Sequence, residues 1–239
     1  MNANSLKGKS ALITGASRGI GFAIAEALAE SGCEVVITSR DLKNAEAAAL
    51  KLKTPSGVIP AACDVRNDTS VRGLFSVVQK KFASLDFLIN NAGIYGPAVS
   101  AEEASVDGWR EAIETNLTGP FVCTKYAVPL MKRGSVIVNN LSIAAYQVFP
   151  KSAAYIASKQ GLLGLTNATR EDLRARGIRV VALVPGATDT DIWNQFWPDA
   201  PRDKMIRPED VARAVVNALT MPPETSVDEI RIMPAAGAL

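Results

Sequence analysis

The stretch Thr14-Gly15-Ala16-Ser17-Arg18-Gly19-Ile20-Gly21 decides the fold. The apolar run Ala11-Leu12-Ile13 leads into it, and Phe22 to Leu28 leaves it with apolar residues at helical spacing. Strand, turn and helix therefore follow one another without a gap. Gly15, Gly19 and Gly21 let the backbone turn sharply and lie flat against a ligand, because no Cβ obstructs it. The N–H groups and the positive dipole end of the helix then face that ligand, which suits a pyrophosphate. A glycine turn can also do no more than pack a helix on a strand. The strand before it and the helix after it favour phosphate binding.

The next strand, Glu34 to Arg40, bears on which dinucleotide. An acidic residue about 20 positions past the glycines usually holds the adenosine ribose hydroxyl. Here the site carries Ser39 and Arg40 instead. The planar fork of Arg40 suits a 2′-phosphate, and Arg18 in the turn could reach the same group. Each arginine alone is weak evidence, but at these two positions they favour NADP(H) over NAD(H).

Beyond this point strands and helices alternate. Helices are expected over Leu42 to Lys53 (capped by Asp41), Thr69 to Phe82, Ser152 to Arg176 and Pro208 to Met221. A long one should run from Trp109 to Met131, interrupted or shifted near Gly119-Pro120. Strands are expected over Val58 to Asp64, Leu85 to Ile89, Ser135 to Ser142, Ile178 to Val184 and Glu229 to Met233. The pattern implies an α/β fold: a three-layer, Rossmann-type doubly wound parallel sheet of about seven strands with helices on both faces. There is no internal repeat or linker, so residues 1–239 read as one domain.

Composition excludes several classes of function. Hydrophobic residues make up 48% of the 239, and the net charge is only +2, so nothing favours nucleic acid or an anionic membrane as partner. No signal-like segment and no run near the roughly 20 apolar residues of a membrane span is present, which points to the cytoplasm. Cys33, Cys63 and Cys123 are odd in number and far apart, as expected of reduced thiols. The chain has no histidine. That removes every histidine-dependent triad or metal site, and no metal is expected.

Proton chemistry must then come from other groups. Tyr155 and Lys159 are four apart on a helix and share a face, with Cβ atoms roughly 5–6 Å apart. Bringing a tyrosine from about 10 to about 7 takes roughly 4 kcal/mol. A lysine ammonium about 5 Å away supplies roughly 3 kcal/mol at an effective dielectric near 20. Such a pair can pass a proton to or from a carbonyl oxygen, which Ser142, at a strand end, could hold by a hydrogen bond.

These residues together make the sequence resemble a short-chain dehydrogenase/reductase along nearly its whole length. The matching motifs are the glycine turn at 14–21, Asp64-Val65, Asn91-Ala92-Gly93, Asn116, Ser142, Tyr155-x-x-x-Lys159, and Pro185-Gly186 followed by Thr188 and Thr190. The resemblance implies Tyr155 as general acid/base and Ser142 as orienter of the substrate carbonyl. Lys159 would bind the nicotinamide ribose and lower the tyrosine pKa, and Asn116 would hold a water in a proton relay. Asp64 would meet the adenine, and Thr190 the nicotinamide carboxamide. A homodimer or homotetramer is expected as well, since Ala153 to Leu165 is apolar nearly all round.

The chain departs from many relatives, including 3-oxoacyl-acyl-carrier-protein reductases, in ending Met233 to Leu239 without a Gly-Gly segment. That weakens the fatty-acid alternative. The short segment after Gly186 carries Trp193, Phe196 and Trp197, which with Tyr146 and Phe149 are candidate walls of an apolar substrate site. The leading expectation is an NADPH-dependent enzyme acting on a small carbonyl or alcohol. A non-catalytic dinucleotide-binding sensor or scaffold is the alternative from another class. It would lead if Tyr155 or Lys159 were missing.

Overall fold

The structure is a computed structural model that describes residues 5–52, 57–195 and 197–237. In chain order its elements are β1 (Ser10–Ile13), α1 (Gly19–Glu30), β2 (Glu34–Ser39), α2 (Leu42–Lys51), β3 (Val58–Ala62), α3 (Asp68–Lys81) and β4 (Phe87–Asn90). Then come α4 (Val106–Ile113), α5 (Gly119–Ala127), β5 (Val136–Asn140), α6 (Ala153–Arg174), β6 (Arg179–Pro185), α7 (Pro208–Leu219) and β7 (Glu229–Ile232). The strands form one parallel sheet in the order β3-β2-β1-β4-β5-β6-β7. Crossover helices cover both faces, which makes the fold three-layered and doubly wound, as expected.

Both faces of the central strands are buried, so those strands are apolar throughout rather than alternating. Successive residues point to opposite faces. Ile13, Ile37 and Ile89 pack with Ile24, Leu28, Val211 and Val215 of α1 and α7. Leu12, Val36, Leu88 and Ile137 pack on the other side with Val71, Phe75 and Cys123 of α3 and α5. Three helices start on side-chain caps: Asp41 accepts from the Lys43 N–H, Asn67 from Ser70 and Ser105 from Gly108. Such caps contribute about 1 kcal/mol each. Pro60 is tolerated in β3 because that strand lies at the sheet edge.

The long helix starts at Val106 and is interrupted just ahead of Gly119-Pro120, as expected. Between α4 and α5, residues Glu114–Thr118 form a π-helical turn carrying Asn116. Pro120 has no N–H to donate to the Asn116 carbonyl, so the ordinary ladder cannot continue there. The third strand ends at Ala62 rather than Asp64, and β4 is shifted to Phe87–Asn90. The second helix stops at Lys51; its expected end, Lys53, lies outside the described residues.

The sheet order reverses between β1 and β4, and in such sheets a ligand crevice opens at the strands' carboxyl ends. All three thiols are free and buried, and burial pushes each above its ordinary range, that of Cys63 to about 11. Among the described residues no helix is long and apolar enough to cross a membrane. No cluster of three or more His, Cys, Asp or Glu side chains able to hold a metal is found among them either.

Candidate active site

A cleft of about 920 Å³ opens at that crevice. Its floor is the glycine turn. Gly15 has φ of +62°, and a Cβ there would stand 2.7 Å from the Ala92 Cα, so no other residue fits. Gly15, Ser17, Arg18, Gly19 and Ile20 line the cleft. Gly21 does not: it is buried, and a Cβ on it would run into the Asn91 amide at 2.3 Å. Its missing side chain lets α1 pack close on the Asn91 loop. No side chain caps the start of α1 and no acidic residue lies in its first turn, so its N–H groups are free to meet an anion.

A chain of hydrogen bonds ties this turn to the opposite wall. Thr14 Oγ1 accepts from the N–H groups of Asn91 and Ala92, both at 3.0 Å. Asn91 Nδ2 donates to the carbonyls of Thr14 and Gly15 at 3.0 and 2.9 Å, which fixes the orientation of that amide. Its Oδ1 then accepts from Asn140 Nδ2 at 2.9 Å, and the Asn140 carbonyl accepts from Lys159 Nζ at 2.8 Å. Asn91, Ala92 and Gly93 line the cleft between the two ends, and Lys159 is 5% exposed.

Lys159 and Tyr155 rise from α6 onto the same wall, with the ammonium 5.6 Å from the tyrosine ring centroid. Ser142, two residues past the end of β5, also lines the cleft. The electrostatics differ from the sequence-based sizing. Burial dominates and pushes the Tyr155 phenol up to about 12, with the Ser142 hydroxyl pulling the other way. Burial also draws the Lys159 ammonium down to about 8. In this state desolvation outweighs the benefit one lysine was expected to bring to its neighbour.

Asn116 is fully buried and does not line the cleft. Its Oδ1 accepts from the Ile94 N–H at 2.8 Å, and its Nδ2 donates to the Ile94 carbonyl and to Ser158 Oγ at 2.8 and 2.9 Å. It clamps the loop after β4 from behind. Asn116 stands in the π-helical turn, and its Oδ1 and the Lys159 ammonium both lie beside Gly93.

Arg40, Asp64 and Val65 also line the cleft. Asp64 is already engaged by Arg66, whose guanidinium lies 2.6 to 3.1 Å from its oxygens and holds its carboxyl below the usual range. Arg66 also bonds Glu111 at 2.8 Å, and Arg40 lies 4.0 Å from that carboxylate. Arg18 faces Asp191 at 3.6 Å. At the far end Pro185, Gly186, Thr188 and Thr190 follow β6 into the cleft, and Thr190 stands opposite Gly19.

Of the expected substrate residues, Phe149, Trp193 and Trp197 line the cleft; Phe196 lies outside the described residues. Tyr146 is elsewhere. Its hydroxyl bonds Glu229 and its ring lies under Arg231 at 4.3 Å, so it sits against β7 and not in the cleft. Sequence reasoning missed Tyr95, Arg66 and Arg202. Arg202 bonds Asp189 at 2.9 Å, the Thr190 carbonyl at 2.7 Å and Asn194 at 2.6 Å, holding the segment that carries Trp193. Only Tyr95 left a signal: an aromatic two residues past Asn91-Ala92-Gly93.

A doubly wound sheet whose switch-point cleft joins a glycine turn to a serine, a tyrosine and a lysine defines the class of nicotinamide-type oxidoreductases. Residues 9–201 match the family described as short chain dehydrogenase, and the chain belongs to that family. Over 183 residues it is 39% identical to a 3beta-hydroxysteroid dehydrogenase of Mediterraneibacter gnavus, covering 76% of this chain and 66% of that one. It is 35% identical over 238 residues to a farnesol dehydrogenase of Aedes aegypti, covering 95% and 96%. A short chain dehydrogenase from Burkholderia cenocepacia, solved in complex with NADP, superposes with a TM-score of 0.88 at 33% identity, covering 98% and 99%.

Proposed function

We propose that the protein is an NADP(H)-dependent reductase/dehydrogenase that interconverts a small, neutral, apolar carbonyl compound and its secondary alcohol. The observation that carries this reading is the convergence of Ser142, Tyr155 and Lys159 on the cleft that the glycine turn opens. NADP(H) fits the chain: the uncapped start of α1 would receive the pyrophosphate, and Arg18 and Arg40, both lining the cleft, would bind the 2′-phosphate. The cofactor, when bound, supplies or takes up the hydride. Ser142 holds the carbonyl oxygen by a hydrogen bond. Tyr155 gives that oxygen its proton during reduction and takes it back during oxidation. Lys159, anchored on the Asn140 carbonyl, holds the nicotinamide ribose and adds positive charge beside the phenol.

Support for an apolar substrate comes from charge. The cleft lining includes the apolar side chains Ile143, Phe149, Ile192, Trp193, Trp197 and Met233. The basic residues of the cleft other than Lys159 stand with the turn or at the adenine end. An acyl carrier protein would bring a phosphorylated arm past that mouth, and among the described residues no basic side chain lines the cleft there, which ranks the 3-oxoacyl-acyl-carrier-protein reductase reading second. The non-catalytic reading ranks lower, because the whole acid–base set is present. Ala153, Trp109 and Phe121 stand exposed on α6, α4 and α5, which supports a homodimer or homotetramer through this flank.

The test is loss of NADPH absorbance when the purified protein meets a panel of neutral ketones and aldehydes, repeated with NADH. Turnover is expected with NADPH. An arginine–phosphate bond contributes about 1.5–3 kcal/mol, so NADPH should bind roughly 10- to 150-fold more tightly than NADH. Equal affinities would remove the assigned role of the two arginines.

A further inference from the structure

Tyr95 stands on the loop after β4, and no catalytic role is assigned to it above. Its backbone follows Ile94, whose peptide is clamped from both sides by Asn116. Its ring lies on that of Tyr155, with centroids 4.7 Å apart and planes tilted by 37°. Its hydroxyl lies 2.5 Å from Ser152 Oγ. Ser152 Oγ also lies 3.0 Å from the Pro150 carbonyl, to which it can donate. Ser152 is 5% exposed and immediately precedes α6, so the Tyr95 side chain is fastened to the entry of the helix that carries Tyr155 and Lys159.

Tyr95 also borders two spaces. One is the cleft. The other is a separate cavity of about 20 Å³, walled by Tyr95, Pro97, Val99, Ala104, Trp109 and Ala154. That volume holds about one water molecule. Its walls are mostly apolar and continue the character of the substrate end. Tyr95 and Tyr155 line both spaces, and of the two only Tyr95 is spare for another duty.

We propose that Tyr95 is the specificity-determining residue of the substrate end: its ring, fastened at Ser152, is a partition that limits how large a group the substrate carries on the side of the carbonyl facing the loop after β4. This rests on the cleft being a carbonyl-reducing site. Two anchors fix the partition: the Asn116 clamp on the backbone and the Ser152 bond at the tip. A ring held at both ends cannot swing aside for a bulkier group, so the pocket rejects such a group rather than adapting to it. The favoured substrates are ketones with one flat or compact apolar substituent.

The experiment measures kcat/KM with NADPH for a graded set of neutral cyclic ketones, from cyclohexanone to a decalone, on the wild type, Tyr95→Ala, Tyr95→Leu and Tyr95→Phe. Joining the small cavity to the cleft should raise the decalone-to-cyclohexanone ratio in Tyr95→Ala by tenfold or more, the scale of one or two methylene groups in an apolar pocket. The change should fall on the KM of the larger ketone, and Tyr95→Phe, which keeps the ring but loses the Ser152 anchor, should give a ratio between those of the wild type and Tyr95→Ala. Tyr95→Leu has the same direction and serves if Tyr95→Ala does not fold. An active wild type whose ratio is unmoved in the folded Ala or Leu variant overturns the partition alone. A wild type that binds NADPH yet reduces no ketone of the set overturns the carbonyl-reducing reading, and the partition with it.

Discussion

At the cofactor end of the cleft the walls are backbone and short side chains. Gly15 has room for nothing larger, and Thr14, Asn91, Asn140 and Lys159 are linked by hydrogen bonds of 2.8 to 3.0 Å. At the substrate end the walls are large side chains from three separate loops: Tyr95, Phe149, and Trp193 with Trp197. Ion pairs near the surface hold the last of these, Arg202 with Asp189 and Arg18 with Asp191. Exposed pairs of the second kind contribute little. The difference teaches where each property is stored: the cofactor geometry in backbone conformation, the substrate preference in a few side chains that can change without disturbing the sheet.

The largest expected effect falls where the two ends meet. Tyr155→Phe removes one hydroxyl and should lower turnover by roughly 10² to 10⁴ while leaving NADPH affinity intact. A variant that kept near-normal reduction of a good ketone would undo the catalytic assignment.

Lys159→Met tests the cofactor wall from the side of stability. Burial draws this ammonium from its ordinary 10.5 to about 8. Between those values the unfolded chain holds more protons than the folded one, so stability rises with pH across that window. The variant should therefore lose activity, yet be more stable than the parent at pH 7 by up to about 3 kcal/mol. Its rise between pH 8 and 10 should flatten. Tyr155, held high, acts in the opposite sense only above pH 10. Thermal melts of the cofactor-free protein across that range decide the matter; a less stable variant at pH 7 would contradict it.

Arg202→Ala should loosen the segment bearing Trp193. The ketone KM is expected to rise roughly tenfold, about 1.4 kcal/mol, with the NADPH dissociation constant changed far less. Equal loss of both would mean that the two ends are not separable. The smallest effect is expected of Tyr146→Phe, whose hydroxyl faces Glu229 away from the cleft. Ketone KM should stay unchanged, and stability should shift by no more than about 0.5 kcal/mol, as for most surface positions.

The same contrast explains what the sequence shows and what it hides. The strands are legible because burial on both faces makes Leu85 to Ile89 and Ser135 to Val138 nearly unbroken apolar runs. The glycine turn is legible because only glycine meets its steric demands. Tyr155 and Lys159 share a face through spacing along a single helix. Tyr146 misleads because an aromatic in a loop after a strand looks like a pocket wall, and its partners Glu229 and Arg231 are over 80 residues away. Asn116 lies in a π-turn whose twist no local periodicity announces. Arg66 and Arg202 are ordinary charges until the fold brings Glu111 to one and Asp189 to the other.

The paired asparagines of β4 and β5 have one more consequence. Asn90 lies opposite Asn139 in the parallel ladder, and their buried amides bond at 2.8 Å, with Asn139 donating onward to Thr166 of α6. Asn91 and Asn140, one residue on, bond to each other in the cleft. Two polar pairs on opposite faces act as an alignment key between neighbouring strands. Sliding β5 by one residue would set Asn90 beside Val138 or Asn140, strand an amide in the apolar layer, and cost about 1–3 kcal/mol for each group left unpaired. The misaligned sheet is thus penalised on both faces at once, at the strands whose ends the reaction needs in register.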